Sequence, residues 1–342
     1  MSRPQPEVSV IVPTHDRRTE LLRLLDHLER QEVEAGAFEV VVAIDASTDG
    51  TGEALAGLRP PFGLTVVESS RRGRAAACNA AVGAASGEIL VFLDDDMEPA
   101  PALVARHRAA HAAGRRRCVL GPVPVSDADR SPAARYIADR FARHMIRLAE
   151  PGHRFVARDF YSGNVSIRRD MFLEVGAFDE SFAIYGNEDV DLFLKLRGSD
   201  VELAFDETAA AVQRYTKGFG ELAADTVAKG RTAVQLARRR PDAFPELRLA
   251  HFETEFDRWR ALRGVLLRLS LRSSRAGRAL ERTAVALERL GAWRLPLYHL
   301  LVLDYFYWYG VSLALAEAPG DGPLAELEAD LRRGTLRLLL HR

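Results

Sequence analysis

The chain has 342 residues, 47% hydrophobic and 28% charged, with a formal net charge of -1 at pH 7. That is length for one large domain or a core domain with an extension, in ordinary globular composition. So even a balance leaves no electrostatic footprint for nucleic acid.

Val8 to Val12 is a β-branched run ended by Pro13, a buried strand. Arg17 to Gln31 places Leu21, Leu22, Leu24, Leu25 and Leu28 on one helical face. Phe38 to Ile44 is a second strand, and "DASTDGT" is turn chemistry leading into a short helix from Thr51. Leu64 to Val67 is a third strand, Gly73 to Ala85 an alanine-rich helix, and Ile89 to Leu93 a fourth strand; Ala102 to Ala113 is again helical. The βαβαβαβ order predicts a mainly parallel sheet with helices on both faces. Ligands of such sheets bind beyond the carboxyl ends of the strands, and "PTHD", "DASTD" and "DDD" all sit there.

Further on, Ser131 to Glu150 and Asn187 to Leu196 read as helices, with Val201 to Phe205 and Ala209 to Val212 extended. After about residue 220 the pattern is helical. Between Arg231 and Arg294 stand 15 arginines against seven acids. Trp259, Leu262, Leu266 and Leu269 follow 3-4-3 spacing, the seam of a packed helix. The apolar stretch 295–316 is interrupted by His299 and Asp304, which speaks against a spanning helix. A buried docking helix or dimer contact is expected there, with a membrane-surface segment as the alternative. Cys78 and Cys118 lack C-x-x-C spacing and read as buried free thiols in a reducing compartment. The N-terminal MSRPQPEVSV lacks the apolar run of a signal peptide, so a cytoplasmic protein is expected, with contact at the inner face of the membrane left open.

Asp94, Asp95 and Asp96 close the fourth strand, where like charges repel unless a cation balances them. Such a cluster is a hard-oxygen site suited to Mg²⁺ or Mn²⁺ carrying phosphates, or else a solvated acidic turn. Glu188, Asp189 and Asp191 open a helix, where the dipole favours acids and where a carboxylate can also take a proton from an acceptor hydroxyl. Gly186 before them suggests backbone approaching a ligand. Gly163-Asn164 is a turn able to line a pocket.

"VSVIVPTHDR", "VVVAIDASTDGT", "RGRAAACNAAVGAASGEILVFLDDDMEP", "SGNVSIRRDMFLEVGAFDESF" and "YGNEDVDLFLKL" resemble, in order and spacing, the family-2 glycosyltransferases. The resemblance implies the α/β GT-A fold, Rossmann-like, over residues 1–219, followed by a helical C-terminal extension, 220–342. It implies an enzyme that moves one sugar from a nucleotide-diphosphate sugar to an acceptor with inversion. Pro13, Thr14 and Asp45 match positions that hold base and ribose; Arg71 or Arg74 matches a basic position near the nucleotide. Asp96 matches the metal ligand of the D-x-D motif, with Asp94 its other acid, and Asp94 or Asp95 contacts ribose or sugar. Gly163 and Asn164 match the cleft floor, Asp189 the catalytic base, and Glu188 its helper in orienting the acceptor. The implied cofactor is Mn²⁺ or Mg²⁺. The implied partners are the donor and a glycan, lipid-linked, peptide or small-molecule acceptor, with homodimer or peripheral membrane contact left to the extension. Ala46, Asn187 and Gln213 depart from many relatives; Gln213 stands where a metal-binding histidine is common. A sugar-phosphate nucleotidyltransferase would want a glycine-rich loop where "VPTHDRRTE" has none, and a dehydrogenase G-x-G-x-x-G. A nucleotide-sugar-binding scaffold without turnover is the non-enzymatic alternative.

Overall fold

The computed structural model describes residues 5–333 apart from 35, 71, 113, 115, 127–130, 253–256 and 296. The chain divides into two compact units. One comprises Met1–Asp129, Ile137–Ile184 and Glu188–Tyr215; the other comprises Arg130–Tyr136, Tyr185–Asn187 and Thr216–Arg342.

In chain order come β1 (Val8–Thr14), α1 (Arg18–Leu28), β2 (Phe38–Ile44), α2 (Thr51–Ala56), β3 (Gly63–Glu68), α3 (Arg74–Ala84) and β4 (Ile89–Leu93). Then follow β5 (Met97–Pro99), α4 (Leu103–Ala110), β6 (Arg117–Leu120), β7 (Val125–Ser126) and α5 (Pro132–Leu148). After them come β8 (Asn164–Arg168), α6 (Arg169–Glu174), α7 (Glu188–Arg197), β9 (Glu202–Phe205) and β10 (Ala211–Arg214). The main sheet has the order β3-β2-β1-β4-β8-β6-β9. Its first four strands are parallel, as the alternating pattern predicts. β8 then runs antiparallel to both β4 and β6, and β9 pairs parallel with β6. A second, small sheet, β5-β10-β7, brings β10 alongside the end of the aspartate loop.

Burial explains the strand sequences. Every residue of β1 and β4 is buried, which is why β4 reads as an unbroken apolar run and β1 as one interrupted only by Ser9 before the terminal Thr14. β8 breaks that rule with Asn164 and Ser166, both fully buried. Two histidines one turn apart on and after α4 satisfy them. His107 lies 2.8 Å from the Ser166 hydroxyl and 2.9 Å from Asn164 Oδ1, and His111 lies 2.9 Å from the same hydroxyl. Burial pushes both imidazoles down to about 4, so they serve as neutral hydrogen-bonding groups. Cys78 and Cys118 are buried free thiols.

The second unit is helical: α8 (Phe219–Arg239), α9 (Asp257–Arg272), α10 (Ser274–Arg289), α11 (Tyr298–Glu317) and α12 (Gly322–Arg333). The apolar stretch is α11, and it is the buried docking helix of this unit, with Tyr305, Phe306, Tyr307 and Trp308 inside. Asp304 is held by Arg248 at 2.7 Å, Arg263 at 2.7 Å and the indole N–H groups of Trp259 at 2.8 Å and Trp308 at 3.1 Å. No helix among the described residues is long and apolar enough to cross a membrane. The seam expected at Trp259, Leu262, Leu266 and Leu269 is packed only in part, with Trp259 and Leu266 half-buried. Arg263, Leu267 and Ser270 turn inward instead, because the Asp304 carboxylate draws the Arg263 guanidinium into the core, and Leu262 and Leu269 are left exposed.

Two glycines let α8 and α11 touch backbone to backbone. A Cβ on Gly230 would stand 2.1 Å from the Tyr307 carbonyl oxygen, and one on Gly310 would stand 2.0 Å from that of Val227. Alanine is the better helix former by about 1 kcal/mol, yet overpacking against backbone typically costs about 1–3 kcal/mol. Gly310→Ala is therefore expected to lower the thermal midpoint measured by circular dichroism; a raised midpoint would show that the two helices part without cost.

Candidate active site

The carboxyl ends of β1, β2 and β4 gather three polar loops. Pro13 and Thr14 are the buried last residues of β1. Carboxylates tie the first two loops together. Asp16 accepts the Thr48 N–H at 2.6 Å, and Asp49 accepts the Arg18 N–H at 2.8 Å. The Asp45 N–H donates 2.8 Å to the Thr14 carbonyl, and its carboxylate accepts the Gly73 N–H at 2.9 Å. Gly73 has φ +108°, and a Cβ there would press on the Phe182–Ala183 backbone at 3.0 Å. Only glycine suits that approach at the start of α3.

The aspartate triplet divides between two arginines. Arg74, the first residue of α3, donates to Asp94 from Nη2 at 2.7 Å and Nε at 3.1 Å. It also donates from Nη1 to the Ser162 hydroxyl at 2.8 Å and from Nη2 to the Ser162 carbonyl at 2.9 Å. Arg17, in the loop after β1, lies 3.4 Å from Asp95 and 3.2 Å from Asp96. Asp95 also accepts from the Thr14 hydroxyl at 2.8 Å, and Asp96 from the Gln213 amide at 3.2 Å. Asp95 and Asp96 are buried, whereas the Asp94 side chain is 33% exposed. Asp95 therefore turns toward β1 and Arg17, and Asp94 is the member of the triplet open to a ligand.

Glu188 and Asp189 open α7, Glu188 buried and Asp189 half-buried. Burial, with Asp189 adjacent, pushes the Glu188 carboxyl up to about 7 against the opposing pull of Arg74. Asp95 is pushed up to about 7 in the same way, by burial first and then by Asp96 and Asp94, despite Arg17. Of the three buried carboxyls here, Asp95, Asp96 and Glu188, Asp95 and Glu188 are thus the two that burial brings closest to taking up a proton. The Asp94 N–H donates 3.2 Å to the Gly163 carbonyl, and a Cβ on Gly163 would stand 2.6 Å from the Asp94 carboxylate. That proximity is why residue 163 has no side chain.

Asn164 lies beneath the cleft. Its amide N–H groups go to the carbonyls of Ala209 at 2.8 Å and Pro122 at 3.1 Å, so its side chain is a strut under the floor. Gly186 belongs to the other unit. There φ of +110° and a Lys229 Cγ only 2.7 Å from where its Cβ would be give it a local reason to be glycine. Asn187, also left-handed, donates to Thr232 Oγ1 at 2.8 Å and to the Lys229 carbonyl at 3.0 Å. Arg71 lies outside the described residues.

Sequence reasoning missed Arg17 and Ser162. The signal for Arg17 was its place directly after "PTHD", in a loop already assigned to the site. Ser162 is reachable only through the fold: the buried Asp159 fixes its loop by binding Arg147 at 3.0 Å, His153 at 2.9 Å and the Val156 N–H at 3.1 Å.

Among the described residues no three His, Cys, Asp or Glu side chains form a metal cage. The hard oxygens of Asp96 and Asp94, neighbours at the end of β4, nevertheless fit a divalent cation that takes one or two carboxylates and completes its shell with phosphate oxygens.

Residues 9–176 match the family described as glycosyl transferase family 2, and residues 143–221 that described as the N-terminal domain of galactosyltransferase. Validoxylamine A glucosyltransferase of Streptomyces hygroscopicus subsp. jinggangensis is 28% identical over 271 residues, 71% of this chain and 63% of that protein. An uncharacterized glycosyltransferase of Bacillus subtilis is 27% identical, over 56% of this chain and 60% of its own. The chain spans less than two thirds of the length of these curated relatives. Among solved structures, a Pyrobaculum calidifontis mannosyltransferase in complex with GDP-Man and Mn²⁺ superposes with a TM-score of 0.52 at 20% identity, covering 99% of this chain and 88% of that one. Staphylococcus aureus TarS 1-349 in complex with UDP gives 0.53 at 17% identity, covering 96% and 92%. These structural likenesses establish the fold, GT-A with C-terminal helices.

The Glu188 shift has a stability consequence. Below its ordinary value of 4.5 the carboxyl is protonated in both folded and unfolded chains, and burial carries no charge penalty. As pH rises toward about 7 the unfolded chain ionises first, and stability falls. Glu188→Gln escapes that loss. Its thermal midpoint is expected to gain on the wild type between pH 5 and 8 (approximate bounds from the same linkage). Parallel midpoint curves would show that Glu188 ionises normally.

Proposed function

We propose a reaction for this chain, which belongs to glycosyl transferase family 2: transfer of one sugar from a nucleoside-diphosphate sugar to an acceptor nucleophile, with inversion and with a divalent cation assisting. One observation carries the reading. Glu188 lies within electrostatic reach of both Arg74 and Asp94, which supports a site made jointly by the start of α7 and the strand-end aspartates.

In this reading the loops after β1 and β2 receive the nucleoside. Pro13 and Thr14 form the wall and the Asp45 carboxylate, fixed by the Gly73 N–H, faces base and ribose. Asp94, open to solvent and oriented by Arg74, accepts hydrogen bonds from donor hydroxyls. Gly163 leaves room beside it. Asp96 and Asp94 would hold Mn²⁺ or Mg²⁺, with Gln213 beside Asp96. Bound there, the cation supplies charge neutralisation to the diphosphate leaving group. Asp189 takes the proton of the acceptor nucleophile as it attacks the anomeric carbon from the face opposite the diphosphate, a single displacement that inverts the centre. Buried Glu188 next to it orients the acceptor and raises the basicity of Asp189 by like charge.

Three outcomes are expected. A screen of nucleotide sugars with Mn²⁺ should find a donor that raises the thermal midpoint, since a ligand of the native state alone stabilises it. Asp189→Asn should keep that donor shift while turnover falls by about 10²–10⁴; undiminished turnover removes Asp189 as the base. Asp96→Ala should abolish the part of donor affinity that depends on Mn²⁺, and an unchanged metal dependence would remove Asp96 as its ligand.

A further inference from the structure

The outward faces of α9 and α10 carry a pattern that neither catalysis nor packing uses. On α9 the residues pointing away from the core are Leu262, Val265 and Leu269, exposed by 51%, 42% and 47%. Their 3-4 spacing makes one continuous stripe, with Arg272 next in line. α10 follows after the single residue Ser273, whose hydroxyl caps it by accepting the Arg275 N–H at 3.2 Å, and it packs against α9. Its inward face is Gly277, Ala284 and Glu288. Its outward face is a row of arginines, Arg275, Arg278, Arg282 and Arg289, all exposed. None of the four makes an ion pair with an acid among the described residues. The end of α10 adds Leu290, exposed by 82%.

We propose that this helical hairpin docks on an anionic phospholipid surface, the leucine stripe entering the boundary between headgroups and acyl chains and the arginine row meeting lipid phosphates. Two features of the surface select that occupant. Exposed leucines in series lose free energy in water and regain it only against an apolar phase. On the neighbouring, packed helix stands cationic charge of one sign, which complements an anionic bilayer. A second copy of the chain is the poorer match, because a two-fold contact through this face would set arginine rows against each other. Nucleic acid would satisfy the arginines and leave the leucines wet. The surface lies on the helical unit and the inference stands independently of the proposed reaction.

The test is co-sedimentation of the full chain with vesicles of phosphatidylcholine alone and of an equal mixture with phosphatidylglycerol. Binding is expected to the mixture only, weakening as salt is raised. The combined variant Arg275→Glu, Arg278→Glu, Arg282→Glu should lose it. Leu262→Ser with Leu269→Ser should weaken it by about tenfold. Unchanged circular dichroism and thermal midpoint certify folding; if the glutamate variant fails them, arginine-to-glutamine changes at the same positions replace it. Absence of binding to the mixture at low salt, or equal binding by the charge variant, overturns the proposal. So does a dimer in sedimentation equilibrium that the leucine variant disperses.

Discussion

Three adjacent carboxylates at the end of a buried strand can coexist only because guanidinium groups reach them from elsewhere in the chain. Arg17 comes from the loop after β1 and takes Asp95 and Asp96; Arg74 comes from the first turn of α3 and takes Asp94. Each arginine is useful only if its own element is in place. The Gly73 N–H bond to Asp45 fixes the start of α3, and the Ser162 loop also accepts from Arg74. β1, β2, α3, β4 and the segment before β8 are thereby locked to one another by charge. Removing one partner of such a set leaves a buried charge uncompensated, which costs far more than the intact pair contributes.

Where a local rule determined the structure, the sequence was readable. β2 and β4 have the bounds that their apolar runs imply, because strands buried on both faces admit little else. The gathering of "PTHD", "DASTD" and "DDD" followed from parallel topology alone. β8 was not readable, since Asn164 and Ser166 inside it look like a polar turn until His107 and His111 arrive from a distant helix to satisfy them. The same non-locality hid Ser162. Arg17 was hidden differently: its place after "PTHD" put it in the site loop, but among many arginines its distance to Asp95 and Asp96 is what gives it a role.

The helical unit shows how a single buried acid can invert a pattern. Spacing alone favoured the leucine seam of α9 as the packed face. Asp304 lies on the buried helix α11, and a carboxylate there demands hydrogen-bonded cations. Arg263 meets that demand at 1% side-chain exposure, and Phe252 and Trp308 cover its guanidinium at 4.6 and 5.3 Å. With Arg263 inside, Leu262 and Leu269 on the same helix must face out. The exposed stripe is thus a direct consequence of how one charge was buried, and helix periodicity could not have revealed it.

Burial also sorts the acids of the cleft by what each can do. Asp95, Asp96 and Glu188 are at most 5% exposed, whereas Asp94 and Asp189 reach solvent. A buried carboxyl changes its ionisation readily with its surroundings, as the upward shifts at Asp95 and Glu188 illustrate. An accessible one can meet substrate atoms. A cleft that binds a doubly charged leaving group needs both kinds. On the proposed reaction, a cation entering with its phosphates would balance the buried acids, and the accessible acids would read hydroxyl groups beside it. On the proposed reaction, the mutual placement of the two kinds matters more than the number of acids. That placement is what Arg17 and Arg74 hold.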